Sequence, residues 1–336
     1  MKFIIPETMT AVQVEKETGK LITGIVPVPK PAKGEVLVKI AAAPINPSDI
    51  ARIKSTIENE ESLSFVPGIE GSGRVVAAGN GLIPSLFMGK RVACSAAYPA
   101  SGTYAEYMLT NATLCFPIPK EISDEQASMF LVNPMTALAF FDIIKQNGHK
   151  AVISTAAAGA LGRIIEFLGN KYGIPVINIV RREEQLSDLK AQGSEFVLNS
   201  SHENFPEQLK ELASRLNATL VLDAIGGEGT GNLIEAIPYG GSLIVYGSLS
   251  GDQPELNYRV LVSDNKNISG FYLANWSKDN GLIKTIRNIV RVRQLLKSEI
   301  QINVRARFPL NKAQEALDSY LENMTAGKVI LIPGLS

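Results

Sequence analysis

Two cysteines and two histidines are few for a chain of 336 residues, and their scarcity removes several kinds of chemistry. Structural zinc takes four Cys or His ligands at close spacing, and catalytic zinc takes three protein ligands. Cys94, Cys115, His149 and His202 are scattered and supply neither set, so no metal site is expected. A Ser-His-Asp hydrolase is equally poorly served, because there is no G-x-S-x-G and both histidines fall in expected surface connections. Neither sign of charge is in excess: 33 Lys and Arg face 33 Asp and Glu, which leaves no electrostatic footprint for nucleic acid or an anionic membrane. Apolar runs stop well short of the roughly 18 residues of a membrane span. Residues 1–20 have too short an apolar stretch for a secretory leader, with acids close behind, so none is expected. With both cysteines in a strand-like stretch, a reducing cytoplasm is the expected location.

Hydrophobic residues make up 45% of the chain, enough to bury a large core split over two domains. Residues 1–122 read as β-rich, with apolar runs at Ala11–Val14, Val36–Ala42, Arg74–Ala78, Arg91–Ser95 and Tyr104–Leu109 between Gly, Pro and Asn clusters. From 123 to 304 strand-like runs alternate with amphipathic helical segments, the pattern of a parallel α/β sheet. Six strands are expected there: Ala151–Thr155, Pro175–Val180, Glu195–Leu198, Thr219–Asp223, Ser242–Tyr246 and Asn267–Phe271. Four helices separate them, at Leu161–Lys171, Glu183–Gln192, Phe205–Leu216 and Gly229–Ile237. A long helix over Lys278–Ile300 should set Leu282, Ile286, Ile289 and Val290 on one face. The tail returns to β structure around a helix at Lys312–Glu322, closing on a strand at Gly327–Pro333. The fold class is thus α/β: a doubly wound nucleotide-binding domain over 123–304, inserted into one β-rich domain made of 1–122 plus 305–336.

The first strand of the insert runs into Ala156-Ala-Ala-Gly-Ala-Leu-Gly162. Small residues let the backbone approach a pyrophosphate, helix amides meet its charge, and Gly162 permits close helix–strand packing. Ala158, Gly159, Ala160, Leu161 and Gly162 are the cofactor candidates of this turn. The second strand carries no acid for a ribose hydroxyl and runs into Arg181 and Arg182. Two guanidiniums there suit the 2′-phosphate of NADP(H), or else they answer Glu183 and Glu184 on the next helix. Compact turns after the fourth and fifth strands add Ile225 and then Tyr246, Gly247 and Ser248, though either could be a tight turn and nothing more.

Several motifs stand in an order that resembles the medium-chain dehydrogenase/reductase superfamily over essentially the whole chain. They are Ile45-Asn-Pro-Ser-Asp49, Pro67-Gly-Ile-Glu-Gly-Ser-Gly73, Gly89-Lys-Arg-Val-Ala93, Gly102-Thr-Tyr-Ala-Glu-Tyr107, Asn133-Pro-Met-Thr-Ala137, the glycine turn, and the closing Gly327-Lys-Val329. The closer likeness is to the zinc-independent quinone oxidoreductases and 2-enoyl thioester reductases. Zinc-dependent members have Cys in place of Asn46 and His in place of Ile69, which leaves Glu70 alone here.

The resemblance implies a GroES-like catalytic domain, bound NADP(H), a homodimer paired through the sixth-strand edge, and hydride transfer to a quinone, enone or related conjugated carbonyl. It implies that Asn46 faces the substrate carbonyl, with Asp49 supporting the loop. Thr136, the segment Phe271, Tyr272 and Leu273, and Lys328 are implied to line the cofactor. Plainer readings exist for some of these: turn chemistry at Asn46 and Asp49, a helix cap at Thr136, core packing at Phe271. One departure from the pattern is the missing tyrosine: thioester reductases carry one soon after the Asn-Pro motif, as proton donor, and residues 50–61 have none. Lys54 or the more distant Tyr98 are the available substitutes. An enoyl thioester reductase and a low-turnover NADPH-binding protein are the alternatives to a quinone or enone reductase.

Overall fold

A computed structural model describes residues 3–15, 17–58, 65–98 and 100–335, without the side chain of Leu282. The chain divides into two compact units: one runs up to Pro134 and resumes at Ile289, and the other is Met135–Asn288.

The first unit opens with a hairpin of β1 (Thr8–Val14) and β2 (Leu21–Pro27). Then come β3 (Glu35–Pro44), α1 (Pro47–Glu58), β4 (Glu70–Ala78), α2 (Leu82–Phe87), β5 (Arg91–Ser95), β6 (Tyr107–Asn111), β7 (Cys115–Pro117) and α3 (Asp124–Ser128). Period-two alternation drives these strands: Val36, Val38 and Ile40 of β3 all face the core that Val75, Val92 and Met108 share. Helix α4 (Val132–Asn147) leads into the second unit.

That unit holds β8 (Ala151–Ser154), α5 (Ala160–Tyr172), β9 (Val176–Val180), α6 (Glu183–Ala191), β10 (Phe196–Asn199), α7 (Phe205–Leu216), β11 (Ala218–Asp223), α8 (Gly229–Ala236), β12 (Ser242–Val245), α9 (Tyr258–Ser263) and β13 (Asn267–Gly270). Its sheet is parallel throughout, in the order β10-β9-β8-β11-β12-β13. This is the doubly wound arrangement, with the reversal of winding between β8 and β11. Being covered on both faces, β8 and β9 are buried at every residue, which is why they read as continuous apolar runs.

Helix α10 (Leu273–Ser298) carries the chain back to the first unit, where β14 (Val304–Phe308), α11 (Ala313–Glu322) and β15 (Lys328–Leu331) complete the larger sheet. Its order is β14-β15-β3-β4-β5-β7, with β6 also paired to β3.

The division expected after 122 and before 305 falls inside the first unit. The side chains explain the difference. Ser72 donates to the Asp124 carbonyl at 2.6 Å, Arg91 holds the Asp124 carboxylate at 2.7 Å, and Gln126 exchanges two hydrogen bonds with the Ile302 backbone. Residues 123–128 and 302 are therefore bound to the β-rich unit. The long return helix also departs from its expected face. Gly281 breaks it with φ 75°, and Ile286 and Val290 are exposed while Ile289 is buried.

Candidate active site

Asn46 lies two residues past the end of β3 and precedes the proline that starts α1, a position where proline's missing N–H costs the helix nothing. Asp49, in the first turn of α1, accepts from the amides of Asn46 and Ile69, both at 2.8 Å. It thereby ties the end of β3 to the segment leading into β4. Asn46 and Asp49 are buried, and Ile69 is half-buried.

The Asn46 carboxamide has a partner at each end. Its Nδ2 donates to Glu70 Oε1 at 3.0 Å, and its Oδ1 accepts from Lys328 Nζ. Glu70 Oε2 accepts from the amides of Leu131 and Val132, each at 2.9 Å, as α4 begins. Lys328 also donates to the Ile45 carbonyl at 3.3 Å and lies over the Tyr320 ring at 6.0 Å. Because Lys328 can only donate and an ionised carboxylate can only accept, these partners fix the amide orientation and leave one Asn46 N–H uncommitted among the described residues.

Burial dominates the titration of the cluster. It pushes Glu70 up to about 7 and Asp49 up to about 6, against backbone hydrogen bonds and the Lys328 charge that pull both down. Burial also lowers Lys328 and raises the Tyr104 hydroxyl, beside Asp49, well above its usual range. Lys328, expected to line a cofactor, is bonded to Asn46. Glu70, Tyr104 and Tyr320 join it as residues not foreseen for the site.

Neither substitute for the missing tyrosine reaches this cluster. Tyr98 donates to Glu35 Oε1 at 2.8 Å, at the opposite end of β3 from Asn46. At about 3.3 Å per residue a ten-residue strand separates its ends by some 30 Å. Lys54 is exposed on α1, on the face away from buried Asp49 and Ile53. Residues 59–61 of the tyrosine-free stretch lie outside the described residues.

In the second unit the candidates follow the carboxyl ends of the parallel strands. Ala158, Gly159, Ala160, Leu161 and Gly162 follow β8, and Arg181 and Arg182 follow β9. Ile225 follows β11, Tyr246, Gly247 and Ser248 follow β12, and Phe271, Tyr272 and Leu273 follow β13. Gly159 caps α5 with no side-chain hydrogen bond, so the leading amides of a 13-residue helix have no built-in acceptor from the cap. Gly162 is required by packing, since a Cβ there would meet the Ala157 carbonyl at 2.4 Å. The turns after β11 and β12 interlock: Leu249 and Ser250 donate to the Ala224 and Ile225 carbonyls, and a Cβ on Gly247 would meet the Ala224 oxygen at 2.6 Å.

Phe140 of α4 packs on Tyr246 and Phe271, with ring centroids 5.0 and 4.8 Å away. Thr136 lies one turn before it on the same helix, and is buried. Arg181 and Arg182 are exposed. The acid at Glu183 is bound by Asn199 and His202, each at 2.5 Å. The glycine turn, the interlocked loops and this exposed cationic pair fit a phosphorylated dinucleotide. Among the described residues no group of three or more His, Cys, Asp and Glu is placed to hold a metal ion, and no helix is long and apolar enough to cross a membrane.

Comparison with known proteins follows the same division. The family model of the alcohol dehydrogenase GroES-like domain matches residues 32–120, and that of zinc-binding dehydrogenases matches 160–288. The chain is 29% identical over 295 residues to the mitochondrial enoyl-acyl-carrier-protein reductase of Arabidopsis thaliana, covering 85% of this chain and 77% of the relative. It is 28% identical over 304 residues to a quinone oxidoreductase-like protein 2 homolog of Nematostella vectensis, covering 88% and 81%. A solved structure described as an NADPH:quinone reductase from Mesorhizobium loti superposes with a TM-score of 0.89 at 31% identity, over 98% of this chain and all of that one. A mycobacterial protein solved in complex with NADPH superposes at 0.79 with 25% identity, over 97% and 100%.

Proposed function

This chain belongs to the medium-chain dehydrogenase/reductase superfamily, in its zinc-independent quinone oxidoreductase and enoyl reductase branch, and from that premise we propose that it is an NADPH-dependent reductase of quinones, enones or related conjugated carbonyls. The observation that carries the reading is the Asn46 carboxamide, held at both ends inside the first unit with one N–H uncommitted. NADPH supplies the hydride when bound. Asn46 donates its remaining N–H to the substrate oxygen as negative charge develops there, and Asp49 holds the loop that carries it. The amides at the start of α5 meet the diphosphate, and Arg181 and Arg182 meet the 2′-phosphate. Phe271, packed on Phe140, would with Tyr272 and Leu273 form part of the surface that holds the nicotinamide half of the cofactor. Thr136, Ile225, Tyr246, Gly247 and Ser248 complete the cofactor's surroundings.

Protonation of the product comes from solvent, because neither Lys54 nor Tyr98 stands beside Asn46. That favours quinones and enones over enoyl thioesters, the second reading that the Arabidopsis relative supports. Loss of NADPH or NADH absorbance across quinones, enones and enoyl thioesters separates them. Turnover of the first two with NADPH is expected. Exclusive turnover of thioesters would select the second reading, and tight NADPH binding without turnover would reduce the protein to a binder of that cofactor.

The remaining parts of the proposal are a cytoplasmic protein, supported by two free thiols at facing positions of β5 and β7, and a homodimer. The dimer is supported by β13, an edge strand with Asn267, Ser269 and Gly270 exposed, next to the exposed Tyr258 and Val262 of α9. Light scattering at the eluted peak should give twice the mass of the 36.2 kDa chain.

A further inference from the structure

The two ends of a carboxamide have the same shape and opposite hydrogen bonding. At Asn46 the oxygen end is claimed by a group that only donates, Lys328 Nζ, and the nitrogen end by the Glu70 carboxylate at 3.0 Å. While both are charged, neither partner can exchange roles. Glu70 is pinned through its other oxygen by the amides of Leu131 and Val132, both at 2.9 Å. Lys328 is pinned by the Ile45 carbonyl at 3.3 Å, on a strand that pairs with β3 through Ile330 and Leu331. All three side chains are buried.

We infer that Lys328 and Glu70 are positioning residues, which lock Asn46 in one of its two amide orientations so that a single N–H faces the substrate oxygen. The inference rests on the reading of Asn46 as the oxyanion donor. It gives the two charges a role in turnover beyond mutual neutralisation.

The geometry makes the role separable from stability. Glu70→Gln preserves shape, but the Leu131 and Val132 amides claim the oxygen of the new side chain and turn its NH2 group toward Asn46. Asn46 must then invert to accept from it, which brings its own NH2 group against Lys328. The single variant is therefore frustrated. Lys328→Met removes the second constraint, and in the double variant Asn46 inverts freely.

Glu70→Gln should melt below wild type and lower kcat about tenfold or more, with the Kd for NADPH unchanged. Lys328→Met should lower kcat similarly. The double variant should melt above Glu70→Gln while its kcat stays as low as that of the single variants. Recovery of kcat together with melting temperature would overturn the inference, as would wild-type kcat in either single variant.

If the wild-type protein turns over nothing in the substrate panel, the functional reading fails and the lock is read directly. In the wild-type 1H–15N spectrum, the Asn46 side-chain pair, identified by its proximity to Lys328, should show one amide proton shifted far downfield by the Glu70 carboxylate. An unshifted pair overturns the inference, and that spectrum requires no variant to fold.

Discussion

At the scale of single residues, the buried carboxylates set how stability follows pH. Glu70 and Asp49 have folded-state values of about 7 and about 6, above the 4.5 and 3.8 they would have in an unfolded chain. A raised carboxylate binds its proton more tightly when folded, so its contribution is full below the unfolded value and is lost as pH rises through the folded one. Unfolding free energy in urea should therefore fall as pH rises from about 4 to about 6 for Asp49 and from about 4.5 to about 7 for Glu70, by up to about 1.4 kcal/mol per pH unit for each group. Glu70→Gln should flatten that slope whatever it does to the absolute stability. The arginine pair gives a second expectation. Replacing either Arg181 or Arg182 by Ala should raise KM for NADPH on the order of tenfold to a hundredfold and leave KM for NADH little changed, since each charge-assisted contact to a phosphate contributes about 1.5–3 kcal/mol. What the sequence hid at this scale was the partnership of Asn46 with Lys328, because no spacing rule joins residues 282 apart. A signal was present all the same: Lys328 is the one charge in Gly327-Lys-Val-Ile-Leu-Ile332, and a lysine in a fully buried strand requires a partner.

At the scale of elements, regular periodicity was legible and irregular joints were not. All six parallel strands lie within a residue or so of their expected ranges, because each is a short apolar run bounded by turns. β2 was missed because Gly24 and Thr23 dilute its alternation. The start of α1 was read as turn chemistry, although Pro47 and Asp49 are equally the marks of a helix start. The return helix looked uniform because a single glycine carries no periodicity, and Gly281 takes a φ of 75° that the pattern does not record. The contact between β8 and α5 is the element-scale test. Gly162→Val would press a side chain onto the Ala157 carbonyl and Cα, 2.4 and 2.6 Å from the new Cβ. It should cost about 1–3 kcal/mol in chemical denaturation and abolish NADPH binding by displacing the turn, as read by quenching of cofactor fluorescence.

At the scale of the whole molecule, the second unit is continuous in sequence while the first is assembled from both sides of it. A ligand bound only by the folded protein stabilises it by mass action. NADPH at a hundredfold excess over its Kd should add about 2.7 kcal/mol, seen as a rise in melting temperature, and NADH at the same concentration should add less. Sequence order has a further consequence for the first unit. Its larger sheet places β15 between β14 and β3, so the strand carrying Lys328 pairs with one synthesised well before it. A ribosome adding roughly 5–20 residues per second takes on the order of tens of seconds to travel from Asn46 to Lys328. Throughout that interval Asp49 and Glu70 belong to a nascent chain that has not yet received the cation they are buried with. The cluster therefore closes only once Lys328 has been added, and a chain interrupted before it leaves Asp49 and Glu70 without that cation.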